Sequence, residues 1–187
     1  ILDYCLGGML FTMVGAIDKR ITPLLFMTTG GHMPRIIHQS PATAFARRMM
    51  EKRFKTSYNL SDMNVLYDIY DKQFPMVKKM SLDEIVSNED IHPLFKIDPI
   101  SYAHLLDMKK VTFIDAYFDS TLPVKSRKAL YDEMYGANRK VLPISHVNWL
   151  PFGYPVVKYI LHKLNINAKE AKKALLTREY IGNPLEK

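Results

Sequence analysis

The chain has 187 residues, of which 48% are hydrophobic, 11% aromatic and 24% charged, enough apolar material for one sizeable core and too much for a disordered tail. Eleven Pro, eight Gly and a single Cys exclude collagen-like, low-complexity and disulfide-stapled classes, since a lone thiol forms no internal bridge. The net charge of +7 is uneven: Pro34 to Leu60 holds six basic residues against one acid, and Ser61 to Asp98 holds four against eight.

The chain opens on Ile1 rather than an initiator Met and enters directly on what reads as a strand, so the expectation is the C-terminal portion of something longer. Ile1 to Tyr4 reads as a strand. Cys5-Leu6-Gly7-Gly8 reads as a turn into an apolar helix, Met9 to Ile17, that ends near Asp18. Ile21 to Thr28 is a second apolar strand closed by Gly30-Gly31. Strand, turn, helix and strand in that order are the signature of a parallel sheet.

Residues of about 35 to 105 carry helix signals and no convincing strand. Ser40-Pro41 supplies an N-cap and a first-turn proline for an amphipathic helix. Its basic side, Arg47, Arg48, Lys52 and Arg53, opposes Ala42, Phe45, Ala46, Met49 and Met50, so it reads as a solvated face rather than a nucleic-acid or membrane surface. Ser61 opens a helix with Val65, Leu66, Ile69 and Tyr70 on one side. Ser81-Leu82-Asp83-Glu84 is a capping box, and Asp98-Pro99 starts a short helix through Leu106.

Strands return at Val111 to Tyr117, apolar enough to be buried on both faces, and at Lys140 to Ile144. Between them Val124 to Tyr135 is a helix, entered after Pro123 and stopped by Gly136. Phe152, Val156, Val157, Ile160, Leu161 and Leu164 recur at helical spacing and argue a helix packed on the sheet. The tail from Asn165, charged and helix-prone through Leu176, is expected to pack peripherally or to be loose.

Three polar residues fall where strands end, the place at which parallel α/β sheets build sites: Cys5, Asp119 and His146. A nucleophile on a tight strand-to-helix turn needs small residues behind it, supplied by Gly7 and Gly8. The N-terminus of the following helix is expected to lower the thiol pKa. Asp115, inside a strand, is the weaker acid candidate. His32 and His38 are reserves for the base, whereas His92, His104 and His162 read as loop, satisfied or surface residues. No zinc spacing, HExxH, dinucleotide or phosphate-loop pattern occurs, so no metal or cofactor is expected.

Asp3-Tyr4-Cys5-Leu6-Gly7-Gly8-Met9 resembles the nucleophile elbow of the α/β-hydrolases, and its Cys is similar to that of the dienelactone hydrolases and of polyhydroxyalkanoate synthases. Phe118-Asp119-Ser120-Thr121-Leu122-Pro123 resembles the acid loop, and Leu142-Pro143-Ile144-Ser145-His146 the segment that delivers the histidine. The resemblance implies the C-terminal part of an α/β-hydrolase fold, a mostly parallel sheet flanked by helices. Residues 1–34 and 106–187 would be core, and 35–105 a helical cap insertion. It also implies a Cys5-His146-Asp119 triad, with the backbone N–H of Leu6 as one oxyanion donor. Asp3 and Ser145 depart from the family's usual glycines, and the earlier strands and second oxyanion donor would precede Ile1. The expected function is cleavage of a small-molecule carboxylic ester, lactone or thioester through an acyl-enzyme in the cytoplasm. An acyltransferase of the polyhydroxyalkanoate synthase type and a non-catalytic hydrolase-like protein stand as alternatives, and homo-oligomer formation is left open.

Overall fold

A computed structural model describes residues 2–21, 23–45, 47–48, 63–147, 155, 158–160 and 162. Four strands, β1 (Leu2–Tyr4), β2 (Leu24–Met27), β3 (Val111–Ala116) and β4 (Asn138–Leu142), form one sheet in the order β1-β2-β3-β4. Every adjacent pair is parallel, with Leu2 opposite Leu25, Leu24 opposite Val111 and Thr112 opposite Asn138. Parallel neighbours need crossovers, and the helices supply them: α1 (Leu6–Ile17) joins β1 to β2, and α5 (Val124–Glu133) joins β3 to β4. The long β2 to β3 connection carries α2 (Met33–Gln39), α3 (Met63–Val77), α4 (Leu82–Ser87) and short 3₁₀ turns. The expected α/β class with a parallel sheet flanked by helices is therefore what the chain forms.

The sheet is covered on both faces, which explains the unbroken apolar run of β2 and the largely buried side chains of β3. Side chains alternate across a strand. Leu24 and Phe26 of β2, with Val111 and Phe113 of β3, enter a core shared with Leu66, Tyr70, Phe95 and Leu130. Leu25 and Met27, with Ile114 and Ala116, enter the opposite core against Ile144 and Ile160. Ile160 gives partial support to a helix packed on the sheet, because residues 158–160 are helical, while most of 148–164 and the tail lie outside the described residues. β4 is polar and largely exposed, as suits the outer strand of this sheet.

Several boundaries differ from the sequence expectation. The first helix starts at Leu6, not Met9, because Gly7 and Gly8 belong to its first turn rather than to a separate bend. Gly8 is needed there, since a Cβ at this position would stand 2.7 Å from Thr29 Cβ. β2 is confined to Leu24–Met27, and Thr28 leaves the strand with φ 46°. β4 spans Asn138–Leu142 rather than Lys140 to Ile144. Ser40-Pro41 opens a 3₁₀ turn, Pro41–Thr43, and much of the basic helix, including Met49, Met50, Lys52 and Arg53, lies outside the described residues. On α3, Leu66 and Tyr70 are buried but Val65 faces out. The single helix expected from Asp98 to Leu106 is two separate 3₁₀ turns, Pro99–Ser101 and Ala103–Leu105, with Asp98 capping the first. The capping box at Ser81 is present: Glu84 N–H donates to Ser81 Oγ, and Ser81 N–H donates to Glu84 at 2.7 Å. α5 ends at Glu133, and Gly136 with φ 97° turns the chain toward β4.

Buried charge ties β3, β4 and α5 together. Asp115, only 5% exposed, is paired with Arg127 of α5 and, at 2.6 Å, with Arg139 of β4. Arg127 also donates to the Ala116 carbonyl at 2.9 Å. Satisfied from two sides, Asp115 is a structural carboxylate.

Candidate active site

In the parallel order β1-β2-β3-β4 the carboxyl ends of β1, β3 and β4 lie along the same edge of the sheet, so the segments leaving them emerge together there. Cys5 is the first residue after β1. It has φ 54° and ψ −118°, a conformation that L-residues with a Cβ rarely adopt and that marks a forced strand-to-helix turn. Its position is pinned by two bonds to the segment around the end of β2: Cys5 N–H donates to the Met27 carbonyl at 3.1 Å, and the Thr29 hydroxyl donates to the Cys5 carbonyl at 3.1 Å. The side chain is half-buried at the N-terminus of α1.

Asp119 follows β3 in a tight loop. One carboxylate oxygen accepts the backbone N–H groups of Thr121 at 2.8 Å and Leu122 at 3.0 Å, and the other accepts from His146 Nδ1 at 2.9 Å. Both residues are buried, at 6% and 7% exposure. The Asp119 bond to Nδ1 sets the proton on that nitrogen and leaves Nε2 as the acceptor, the arrangement a general base requires. The backbone reaches His146 through a bond from Phe118 N–H to the Ile144 carbonyl at 3.0 Å, which ties the acid loop to the histidine segment.

The link between Cys5 and His146 was not visible in the sequence. Tyr4, immediately before Cys5, packs its ring 5.2 Å from the His146 imidazole and donates its hydroxyl to the His146 carbonyl. Asp119 is near enough to Cys5 for its negative charge to raise the thiol pKa. The three expected site residues thus share one end of the sheet, with a direct hydrogen bond between Asp119 and His146. No hydrogen bond from the thiol to His146 is present among the described residues, and apo sites commonly hold this contact long until substrate binds.

One expectation is corrected. Burial pushes the Cys5 thiol above its ordinary value, the charge of Asp119 adds to that, and the hydrogen bond from the Leu6 N–H opposes both without overcoming them. The helix N-terminus does not by itself produce a thiolate, because desolvation of the sulfur outweighs one donor. In this structure the Leu6 N–H donates to the Cys5 sulfur.

The other histidines have separate places. His32 caps α2 with φ 61° and is buried away from this dyad among Tyr67 and Tyr70 rings. His38 bonds the Tyr67 hydroxyl at 2.9 Å on the surface. His104 bonds the Met80 carbonyl at 2.8 Å, and His92 accepts from Leu94 N–H at 3.2 Å. His162 is exposed. Neither reserve base reaches Asp119. Asn148 and Trp149 lie outside the described residues.

No family model matches the chain, and no curated protein does. Among solved structures, the chain is similar to the α/β hydrolase GrgF from Penicillium sp. sh18, at 14% identity and a TM-score of 0.48 over 86% of this chain and 61% of that one. It is similar to the enol-lactonase from Burkholderia xenovorans LB400 at 18% identity and a TM-score of 0.48, over 87% and 65%. A marine microorganism esterase aligns at 16% identity and a TM-score of 0.39, over 89% and 69%. The chain therefore spans less than two thirds of the length of GrgF and of the enol-lactonase. No described helix is long and apolar enough to cross a membrane.

Proposed function

We propose that the chain is the C-terminal portion of an α/β-hydrolase that cleaves a carboxylic ester, lactone or thioester through an acyl-Cys5 intermediate. The observation that carries this reading is the buried Asp119–His146 pair at the same sheet end as a strained Cys5. In the first half-reaction Nε2 of His146 removes the thiol proton as sulfur attacks the acyl carbon, and the carbonyl electrons move to oxygen beside the Leu6 N–H. When they return, the carbon–oxygen or carbon–sulfur bond to the leaving group breaks, and that group takes the proton from His146. In the second half-reaction His146 removes a proton from water as its oxygen attacks the thioester carbon, and when the intermediate collapses the carbon–sulfur bond breaks and the Cys5 sulfur takes the proton back from His146. Asp119 orients the imidazole and stabilises its charged form throughout. Because the resting thiol is held protonated, His146 has to act in concert with attack rather than store a thiolate beforehand. The helices between residues 35 and 105 would then serve as a cap over the acyl group.

A second reading, a hydrolase-like protein without acyl chemistry, is favoured by that same elevated thiol. Brief mixing of the full protein with p-nitrophenyl acetate, followed by intact mass and peptide mapping, separates the two. An acetyl group on Cys5 that is absent from an unfolded control supports the triad. No adduct, with Cys5 alkylating only at alkaline pH, removes it.

A further inference from the structure

The loop that leaves β2 lies against the Cys5 turn and is itself held at both ends. Thr28 N–H donates to the Ile114 carbonyl of β3 at 3.0 Å, and Gly31 N–H donates to the Ser126 carbonyl of α5 at 3.1 Å. Between these anchors Thr29 is fully buried. Its hydroxyl donates to the Cys5 carbonyl at 3.1 Å, and its side chain fills the space that a Cβ at Gly8 would need. The other donor to that carbonyl, the Met9 N–H, stands farther off at 3.4 Å.

The Cys5 carbonyl and the Leu6 N–H belong to one planar peptide unit and point in opposite directions. A bond that fixes the carbonyl therefore fixes the N–H. The unit needs such a bond, because the Cys5 backbone at φ 54° and ψ −118° persists only where its neighbours hold it. The Leu6 N–H donates to the Cys5 sulfur and opposes the rise in thiol pKa that burial causes.

We propose that Thr29 is a positioning residue of the site: by holding the Cys5 carbonyl, its hydroxyl aims the Leu6 N–H at the reacting atoms. For turnover the inference rests on the acyl-Cys5 reading above, and for the direction of the Leu6 N–H on geometry alone. An oxyanion develops only on the way to the tetrahedral intermediate, so a misdirected donor slows acylation without weakening ester binding.

The test compares the full native protein with Thr29→Val, Thr29→Ala and Thr29→Ser, each shown to be folded by circular dichroism. The burst of p-nitrophenol from p-nitrophenyl acetate gives the acylation rate constant and the half-saturating ester concentration, and alkylation by iodoacetamide across pH gives the titration of Cys5. Both hydroxyl-free variants should acylate roughly tenfold more slowly, with half-saturation within about twofold of native. Their alkylation profiles should move to higher pH, because the thiolate loses an N–H donor. Thr29→Ser keeps the hydroxyl and should behave as native in both assays, and Thr29→Ala adds no methyl beside Gly8, so loss of the hydroxyl is read even where Val packs badly. Native rates and profiles in the hydroxyl-free variants, or a Ser variant as impaired as Ala, overturn the proposal. A native protein with no burst and no acetyl-Cys5 defeats the acyl reading instead. The alkylation profiles then decide on Thr29 alone: an upward shift confined to the hydroxyl-free variants supports it, and coincident profiles overturn it.

Discussion

Substituting His32 by Asn provides a quantitative test of the packing around the loop that follows β2. Two buried groups there titrate in opposite senses across the same range. Burial depresses His32 from 6.5 to about 4, and the Arg35 charge acts the same way, so the fold favours the neutral ring. Its contribution is intact above pH 6.5 and is lost as pH falls toward 4. Asp98 is buried and raised from 3.8 to about 6, burial outweighing the N–H groups of His32, Met33 and Ile100 that its carboxylate accepts. Its contribution is intact below pH 3.8 and lost as pH rises to 6. Each gap corresponds to about 3 kcal/mol, so in the native chain the two slopes largely cancel. Asn at position 32 keeps the positive φ and removes one slope. Urea unfolding followed by circular dichroism gives the stability of both proteins between about pH 4 and pH 7. Because every other group is common to both, the difference between the curves isolates His32. The variant should gain about 3 kcal/mol relative to the native chain on going from neutral to acid pH. Curves that stay parallel would show that His32 is not a desolvated neutral ring, and the reasoning would fail.

Other substitutions probe the site and its frame. His146→Ala should abolish turnover of p-nitrophenyl acetate while circular dichroism stays native, and Asp119→Asn should lower kcat by roughly 10³-fold or more; an active His146→Ala protein would refute the triad. Gly8→Ala sets a methyl group 2.7 Å from Thr29 Cβ and should destabilise by about 1–3 kcal/mol, measured as a loss in urea midpoint with unchanged slope. Arg127→Leu leaves Asp115 with Arg139 alone in a buried setting and should cost about 3–5 kcal/mol, whereas adding Asp115→Leu should recover part of that loss; an additive double variant would contradict the coupling.

The parts of this site that depend on local chain chemistry were legible. Gly7-Gly8 after a short apolar strand signalled a tight turn, and an Asp or a His two residues after a strand-like run, as at Asp119 and His146, falls at a strand end by spacing alone. Asp119 over Asp115 was separable because a residue inside a doubly buried strand needs partners of its own. What depends on three-dimensional neighbours was not legible. Tyr4 reads simply as a good strand residue, and nothing local announces that its hydroxyl reaches a carbonyl 142 positions away. The thiol was misjudged because a helix N-terminus is visible in sequence, whereas desolvation depends on what packs over the sulfur. His32 was proposed as a reserve base because it follows a strand end, yet its left-handed backbone at the start of α2 carries it among the Tyr67 and Tyr70 rings. The helix expected from Asp98 to Leu106 divides at Tyr102, which ends the 3₁₀ turn Pro99–Ser101 and precedes the next, Ala103–Leu105.

The Tyr4 contact has a mechanical meaning. Cys5 is covalently the next residue after Tyr4, and His146 hangs from the Tyr4 hydroxyl by its own carbonyl. A sliding or tilting of β1 against its neighbour would therefore carry both reactants in the same direction, and their separation would change less than the displacement itself. In the proposed reaction, alignment of attack would then depend on one strand end rather than on two independent loops. Errors in register between β1 and β2 would be tolerated by the chemistry more readily than errors between β3 and β4, which move Asp119 and His146 against each other.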